Sequence, residues 1–177
     1  LFNCQNVQNE GVMAMAEALK VNNTLKSYCI HLAGCQNVQN EGVMAMAEAL
    51  KVNNTLESYS NQLADCLNVQ NEGVMAMAEA LKVNNTLESY TIDLADCQNV
   101  QNEGVMAMAE ALKVNSMLKS YTNDFEYCQD VQNEGVMAMA EALKENFTLQ
   151  SLKVYPSDPA FVRQAILRNQ ELLEQRN

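Results

Sequence analysis

No run of this chain approaches the roughly 20 consecutive apolar residues that a membrane-spanning helix needs. Histidine occurs once, as His31. No serine or cysteine nucleophile pattern recurs around it, so it reads as an exposed surface residue. A glycine-rich phosphate loop is missing too. Gly11 and its equivalents stand singly near helix starts, where close packing explains them. Positive charge is scarce, with 11 basic against 22 acidic residues, a formal net charge of −11 and a pI near 4.4. Such a chain repels phosphate backbones and anionic headgroups, which argues against nucleic acid and membrane surfaces as partners. A basic protein partner is compatible with that charge, and so is a simple role in solubility. Neither catalysis nor a cofactor is expected.

The cysteines lack the spacing of a metal site or a disulfide scaffold. Cys4, Cys35, Cys66, Cys97 and Cys128 follow one another at a constant interval of 31 residues. No second Cys or His lies within C-x-x-C or H-x-x-x-H distance, which argues against zinc. One cysteine per interval reads as a stacked ladder of small buried side chains. Reduced thiols then imply an intracellular, cytoplasmic setting. The chain has no initiator Met and no signal-like start, and Leu1 falls in mid-repeat, so it is read as a fragment of a longer protein.

What is present is repetition. The twelve residues Asn-Glu-Gly-Val-Met-Ala-Met-Ala-Glu-Ala-Leu-Lys occur unchanged from Asn9, Asn40, Asn71, Asn102 and Asn133, each 31 positions after the last. A fixed period of this size marks a solenoid, in which each unit buries its apolar side only against its neighbours.

Within the first unit, Val12, Met15, Ala16 and Leu19 follow the i, i+3, i+4, i+7 stripe of an amphipathic helix of about eleven residues. Asn9 is expected to cap it, with Glu10 favouring the positive end of its dipole. Lys20 suits its last turn, and Asn22 and Asn23 tolerate the left-handed backbone expected at its end. Leu25, Tyr28, Ile30 and Leu32 then mark a short strand centred on Tyr28 and Ile30. A loop from Ala33 to Gln39 leads to the next helix. Each unit therefore holds one strand and one helix. The repeated Glu10 and Glu17 form a solvated face rather than an acid–base pair.

The pattern Leu87-x-x-Tyr90-x-Ile92, Asn102-Glu103-Gly104-Val105 and Ala109-Glu110-Ala111-Leu112-Lys113 with Asn115 closely resembles leucine-rich repeats. The subtype is similar to the ribonuclease-inhibitor kind, also found in innate immune sensor arrays, tropomodulins and Ran GTPase-activating proteins. Leu149-x-x-Leu152-x-Val154 matches the family's own leucines. Two features depart from it: Tyr28, Tyr59, Tyr90 and Tyr121 replace the second strand Leu, and the unit exceeds the family's 20–29 residues.

The resemblance implies an α/β leucine-rich-repeat solenoid, a curved horseshoe arc with parallel strands on the concave face and helices on the convex face. Strands about 4.8 Å apart stacked beside helices about 8–10 Å apart predict a bend of roughly 20–25° per unit. The Met13, Met44, Met75, Met106 and Met137 column is expected to pack between helices, opposite the Ala18 column. Residues 1–155 form five tandem repeats, the first lacking its own strand. Residues 156–177 form a C-terminal capping helix, roughly Pro159 to Glu174, with Pro159 at its first position. The uncapped N-terminal end is expected to be covered by further repeats or another domain.

Differences between the copies are concentrated in the strand. One column reads Lys26, Glu57, Glu88, Lys119, Gln150; the next reads Cys29, Ser60, Thr91, Thr122, Lys153; the third reads His31, Gln62, Asp93, Asp124, Tyr155. Strand alternation and the family pattern turn these side chains toward the concave face. A constant scaffold carrying a varied face suits protein recognition, although exposed positions also drift freely after duplication. Convex Ala14 and Glu17 have the same licence and have not drifted. The expected function is a non-catalytic module that binds a protein through the concave strand face. A scaffold or spacer held by its ends and convex helices is the alternative. A third expectation is a regulatory inhibitor or activator of a basic protein or GTPase. The column Ile30, Asn61, Ile92, Asn123, Val154 should point inward, so its two asparagines need partners, or the strand ends early there.

Overall fold

A computed structural model describes residues 6–155 together with Leu167 and Glu171. Among residues 6–155 five helices alternate with five strands: α1 Asn9–Val21, β1 Ser27–His31, α2 Asn40–Val52, β2 Ser58–Gln62, α3 Asn71–Val83, β3 Ser89–Asp93, α4 Asn102–Val114, β4 Ser120–Asp124, α5 Asn133–Glu145 and β5 Ser151–Tyr155. The strands form one parallel sheet in the order β1-β2-β3-β4-β5. Tyr28 pairs with Tyr59, Tyr59 with Tyr90 and Tyr90 with Tyr121, so the register steps by one whole repeat at each rung. The fold is a leucine-rich-repeat solenoid with one strand and one helix per unit.

Its core lies between sheet and helices. Val43, Met46, Ala47 and Leu50 of α2 are buried together with Leu56, Tyr59 and Leu63 of the following strand segment. Fully burying a side chain of this size stabilises by about 1.5–3 kcal/mol, against about 0–1 kcal/mol for an exposed ion pair. The apolar stack therefore dominates over the Lys20–Glu17 type pairs on the helices. Tyr28, Tyr59, Tyr90 and Tyr121 stack ring on ring at 5.7–5.8 Å, so the tyrosine that stands in for leucine adds a column of aromatic contacts. Cys35, Cys66, Cys97 and Cys128 of the cysteine column are buried as expected. Cys66, Cys97 and Cys128 point their thiols at the carbonyls of Leu32, Leu63 and Leu94 in the preceding unit, at 3.1–3.2 Å.

The helices are longer than expected, at 13 residues, and begin at Asn9 itself. Gln8 occupies the capping position in extended backbone and makes no side-chain cap. The asparagine instead serves the next unit. Asn9 Oδ1 accepts the backbone N–H groups of Gln39 and Gly42 at 2.9 and 3.2 Å. Its role as cap of its own helix is thereby corrected, because the nearest orphan donors belong to the neighbouring helix.

The helix end is corrected as well. Asn22 is extended, at φ −75° and ψ 125°, not left-handed. Its side chain turns the chain locally, accepting the N–H groups of Thr24 and Leu25. The equivalent Asn53 adds a donation from Nδ2 to the carbonyls of Leu19 and Asn22 at 2.8 and 3.0 Å. Asn84, Asn115 and Asn146 repeat this link, giving a buried asparagine ladder that satisfies the last carbonyls of each preceding helix.

The Met13 column does not pack between helices; its members stand 42–57% exposed. Ala49, Ala80, Ala111 and Ala142 are fully buried instead, so the seam between helices closes on alanine and leaves methionine at its rim. Strands β2 and β4 run through Asn61 and Asn123, and both asparagines are buried. Asn123 Nδ2 donates to the Tyr121 hydroxyl at 3.3 Å. The Asn61 and Asn123 side-chain oxygens have no hydrogen-bond partner among the described residues, nor do the Tyr59 and Tyr90 hydroxyls. Apart from Leu167 and Glu171, the expected capping helix lies outside the described residues, as do residues 1–5.

Candidate functional site

Alternation along each strand sends every second side chain to the sheet face that turns away from the helices. In β2, β3 and β4 the residues at positions one, three and five are part-exposed and those between are buried. Four columns meet on this outer face: Lys26, Ser27, Cys29 and His31 with their equivalents. Every variable residue expected at a binding face, in the Lys26, Cys29 and His31 columns, is exposed or part-exposed there.

The geometry separates these residues into two kinds. In the Lys26 column the charges neutralise one another across strands. Lys26 Nζ lies 2.8 Å from Glu57 and Lys119 Nζ lies 2.7 Å from Glu88. The order Lys, Glu, Glu, Lys thus closes into two exposed pairs.

The His31 column behaves differently. Asp93 and Asp124 stand directly opposite each other in the register of β3 and β4. Asp93 Oδ1 accepts the N–H of Ala95, and Asp124 Oδ1 accepts that of Glu126. Neither carboxylate has a lysine or arginine within ion-pair distance among the described residues. Desolvation raises the Asp93 pKa first, and repulsion from Asp124 raises it further. The Ala95 N–H and His31 pull the other way. The outer face therefore holds two carboxylates side by side with no ion-pair partner among the described residues.

Between the two charged columns the middle of the floor is hydroxylated and short, with Cys29 at one end and the exposed Lys153 at the other. Ser60, Thr91 and Thr122 occupy the Cys29 column, and Gln62 Nε2 donates to Ser60 Oγ at 3.0 Å. Ser27, Ser58, Ser89, Ser120 and Ser151 form a constant column beside them. Sequence reasoning passes over these serines because they do not vary. Their identity in all five strands, at a position facing away from the core, is the signal that could have found them.

The other described residues offer little for chemistry. Burial pushes the Cys66 and Cys128 thiols up to about 12 and about 11, and the Cys97 thiol higher still. Cys29 is the one exposed thiol among the described residues. No cluster of His, Cys, Asp and Glu suited to a metal ion occurs among the described residues. No described helix is long and apolar enough to cross a membrane. An open groove of about 180 Å³ lies on the first unit, lined by Met15, Ala18, Leu19, Asn22, Leu25 and Tyr28. Leu25 is 41% exposed, whereas Leu56, Leu87, Leu118 and Leu149 of the same column are fully buried. The groove is thus a repeat-facing surface with nothing stacked on it among the described residues.

Residues 21–47 and 83–109 match the family described as Leucine Rich repeat. No curated protein matches the chain. Among solved structures, leiomodin-1 actin-binding site 2 is similar over 91% of this chain and 90% of its own, with a TM-score of 0.72 and 22% identity. The tropomodulin C-terminal domain of Caenorhabditis elegans is similar over 96% of this chain and 98% of its own, with a TM-score of 0.70 and 18% identity. At these identities the likeness is one of fold.

Proposed function

We propose that this leucine-rich-repeat protein is a non-catalytic interaction module that binds a protein partner through the outer face of its sheet. The observation that carries this reading is the Asp93–Asp124 pair. It is a like-charge pair with no ion-pair partner among the described residues, on a face where the neighbouring Lys26, Glu57, Glu88 and Lys119 are already paired. A lysine or arginine presented by a partner would relieve the repulsion between the two carboxylates. The hydroxyl floor beside them supplies hydrogen bonds without obstructing approach. Much of the variation among the copies falls on this same face, while the twelve-residue helix segment starting at Asn9 is unchanged in every copy.

The test compares capture of a partner by charge-reversed variants. Asp93→Lys with Asp124→Lys should reduce capture by about tenfold or more, since loss of a close charge pair is worth about 1.5 kcal/mol or more. Glu79→Lys on the helical side should leave capture unchanged. Added salt should weaken binding, as screening requires. Actin joins the assay as a defined candidate, because the leiomodin-1 structure is described as an actin-binding site. If Glu79→Lys matters and the aspartate reversals do not, the assignment to the sheet face is wrong.

A scaffold role held through the ends of the array is the second reading, and the open groove on the first unit favours it. Under that reading Leu25→Glu disrupts assembly while Asp93→Lys does not. Regulation of a basic protein falls under the first reading and shares its salt dependence.

A further inference from the structure

Four Asn-x-Thr triplets run through the sequence: Asn22-Asn23-Thr24, Asn53-Asn54-Thr55, Asn84-Asn85-Thr86 and Asn146-Phe147-Thr148. Each is an acceptor sequence for N-linked glycan transfer, which ordinarily marks a surface loop in a secreted protein. Here the acceptors are the ladder asparagines. Asn53, Asn84 and Asn146 are only 3–5% exposed.

The atom that would carry the glycan is the one the fold uses. Asn84 Nδ2 donates to the carbonyls of Leu50 and Asn53 at 2.7 and 3.3 Å. Asn146 Nδ2 donates to those of Leu112 and Asn115 at 2.6 and 2.9 Å. Asn53 makes the same two donations. An amide nitrogen has two hydrogens, and both are engaged. Glycan transfer joins Nδ2 to the first sugar carbon of a lipid-linked pyrophosphate donor, releases the lipid pyrophosphate and removes one of those hydrogens. The modified asparagine retains one donor for two buried carbonyls, and a bulky polar sugar has no room in the core. A buried carbonyl left unpaired costs about 1–3 kcal/mol, before the sugar itself is accommodated.

The fourth unit supplies an internal control. It reads Asn115-Ser116-Met117 and is no acceptor. Its ladder is nonetheless intact, with Asn115 Nδ2 donating to Leu81 and Asn84 at 2.7 and 3.2 Å and Oδ1 accepting from Met117 and Leu118. Threonine is therefore dispensable to the ladder, and its hydroxyl adds only a contact of 3.2–3.4 Å to its own asparagine.

We propose that N-linked glycosylation and folding of this array exclude one another, so that it works in a compartment where chains are not N-glycosylated. The unfolded chain offers four acceptors, and the folded one hides three of them in its ladder. The proposal is independent of which partner the sheet face takes.

The experiment expresses the full chain in animal cells with and without a cleavable secretory leader. A third version carries the leader and the substitutions Thr24→Met, Thr55→Met, Thr86→Met and Thr148→Met. The leaderless protein should be folded, protease-resistant and unmodified. The leader-bearing wild type should acquire glycans removable by endoglycosidase and stay inside the cell in a protease-sensitive form. The fourfold variant should emerge unglycosylated and folded, with secreted yield up roughly tenfold over the wild type. Secretion of folded wild type overturns the proposal, whether it carries glycans at Asn53, Asn84 and Asn146 or none. So does a fourfold variant that folds without the leader and fails with it, because glycosylation is then not the obstacle.

Discussion

Asn40 places its side-chain oxygen 2.8 Å from the point where a β-carbon on Gly73 would stand. The same oxygen accepts the N–H groups of Gln70 and Gly73, so it is held in place and cannot swing aside without losing both bonds. Val43 adds a second obstruction at 3.3 Å. Gly73→Ala should therefore destabilise the array by about 1–3 kcal/mol, in the range of an overpacked core. At Gly11 a β-carbon meets nothing within 4 Å. Gly11→Ala should be neutral or stabilise by about 0.5 kcal/mol through helix propensity. Thermal unfolding of the two variants measures the contrast; equal effects would remove the cross-repeat cap as the reason for the glycine.

Those two glycines also show where sequence reasoning stops. The stripe Val12, Ala16, Leu19 and the alternation through Tyr28 and Ile30 depend on the periodicity of one element, and they place the helices, the strands and the buried tyrosines correctly. Asn9 and Asn22 look like ordinary helix ends because local propensity assigns an asparagine to its own helix. Asn9 and Asn53 in fact find partners 30 to 34 positions away in the adjacent unit, and only stacking brings those together. The Met13 column departs from expectation for a related reason. A helical wheel gives a direction around one axis, and the tilt and spacing of the neighbouring helix decide which flank is covered. On the sheet face, the strand alternation is readable, but the pairing of Lys26 with Glu57 and of Glu88 with Lys119 depends on register between strands.

The buried asparagines in the strand column offer a clean comparison. Asn61 lies between Ile30 and Ile92, its register partners on either side, and its side-chain oxygen is unpaired among the described residues. Asn61→Ile should stabilise the fold by about 2 kcal/mol, the scale of an unsatisfied buried polar group. Asn123→Ile should gain less, because it takes away the bond to the Tyr121 hydroxyl. Denaturant midpoints rank the two; a loss of stability in Asn61→Ile would mean that the amide is satisfied in solution.

Acid should act on Asp93 in the direction opposite to that of a salt-bridged carboxylate. Burial and Asp124 raise its pKa above the ordinary value of 3.8, so the folded state holds its proton more tightly than the unfolded one. That contribution is fully present below the unfolded pKa and is lost as pH rises through the folded value. Asp93→Asn removes the charge and keeps an oxygen for the Ala95 N–H. The variant should be slightly more stable than wild type at pH 7, by about 0.5 kcal/mol or less given its half-exposed position. The gap should close as pH falls below the ordinary carboxylate value of about 3.9. A cation-bearing partner should bind more weakly over that same fall, which links the stability curve to the proposed function. A gap that widens in acid would reverse the assigned shift.

Tyr127 stands in left-handed backbone at φ 63°, a position filled elsewhere by Gly34 at φ 70°, Asp65 at 58° and Asp96 at 59°. Glycine adopts this conformation freely and aspartate tolerates it, whereas a bulky aromatic residue is strained there by about 1 kcal/mol or more. The ring is two-thirds exposed, at 67%, so little burial offsets the strain. Tyr127→Asn should stabilise by about 1 kcal/mol, and Tyr127→Gly by about half that, because glycine also frees the unfolded chain. Strain kept at an exposed loop residue is a recognised mark of function. Partner capture should therefore be measured on the same variants. Higher stability with weaker capture places the Tyr127 ring in the binding surface. Higher stability with unchanged capture leaves it a tolerated defect of the fourth copy, and a fall in stability refutes the strain itself.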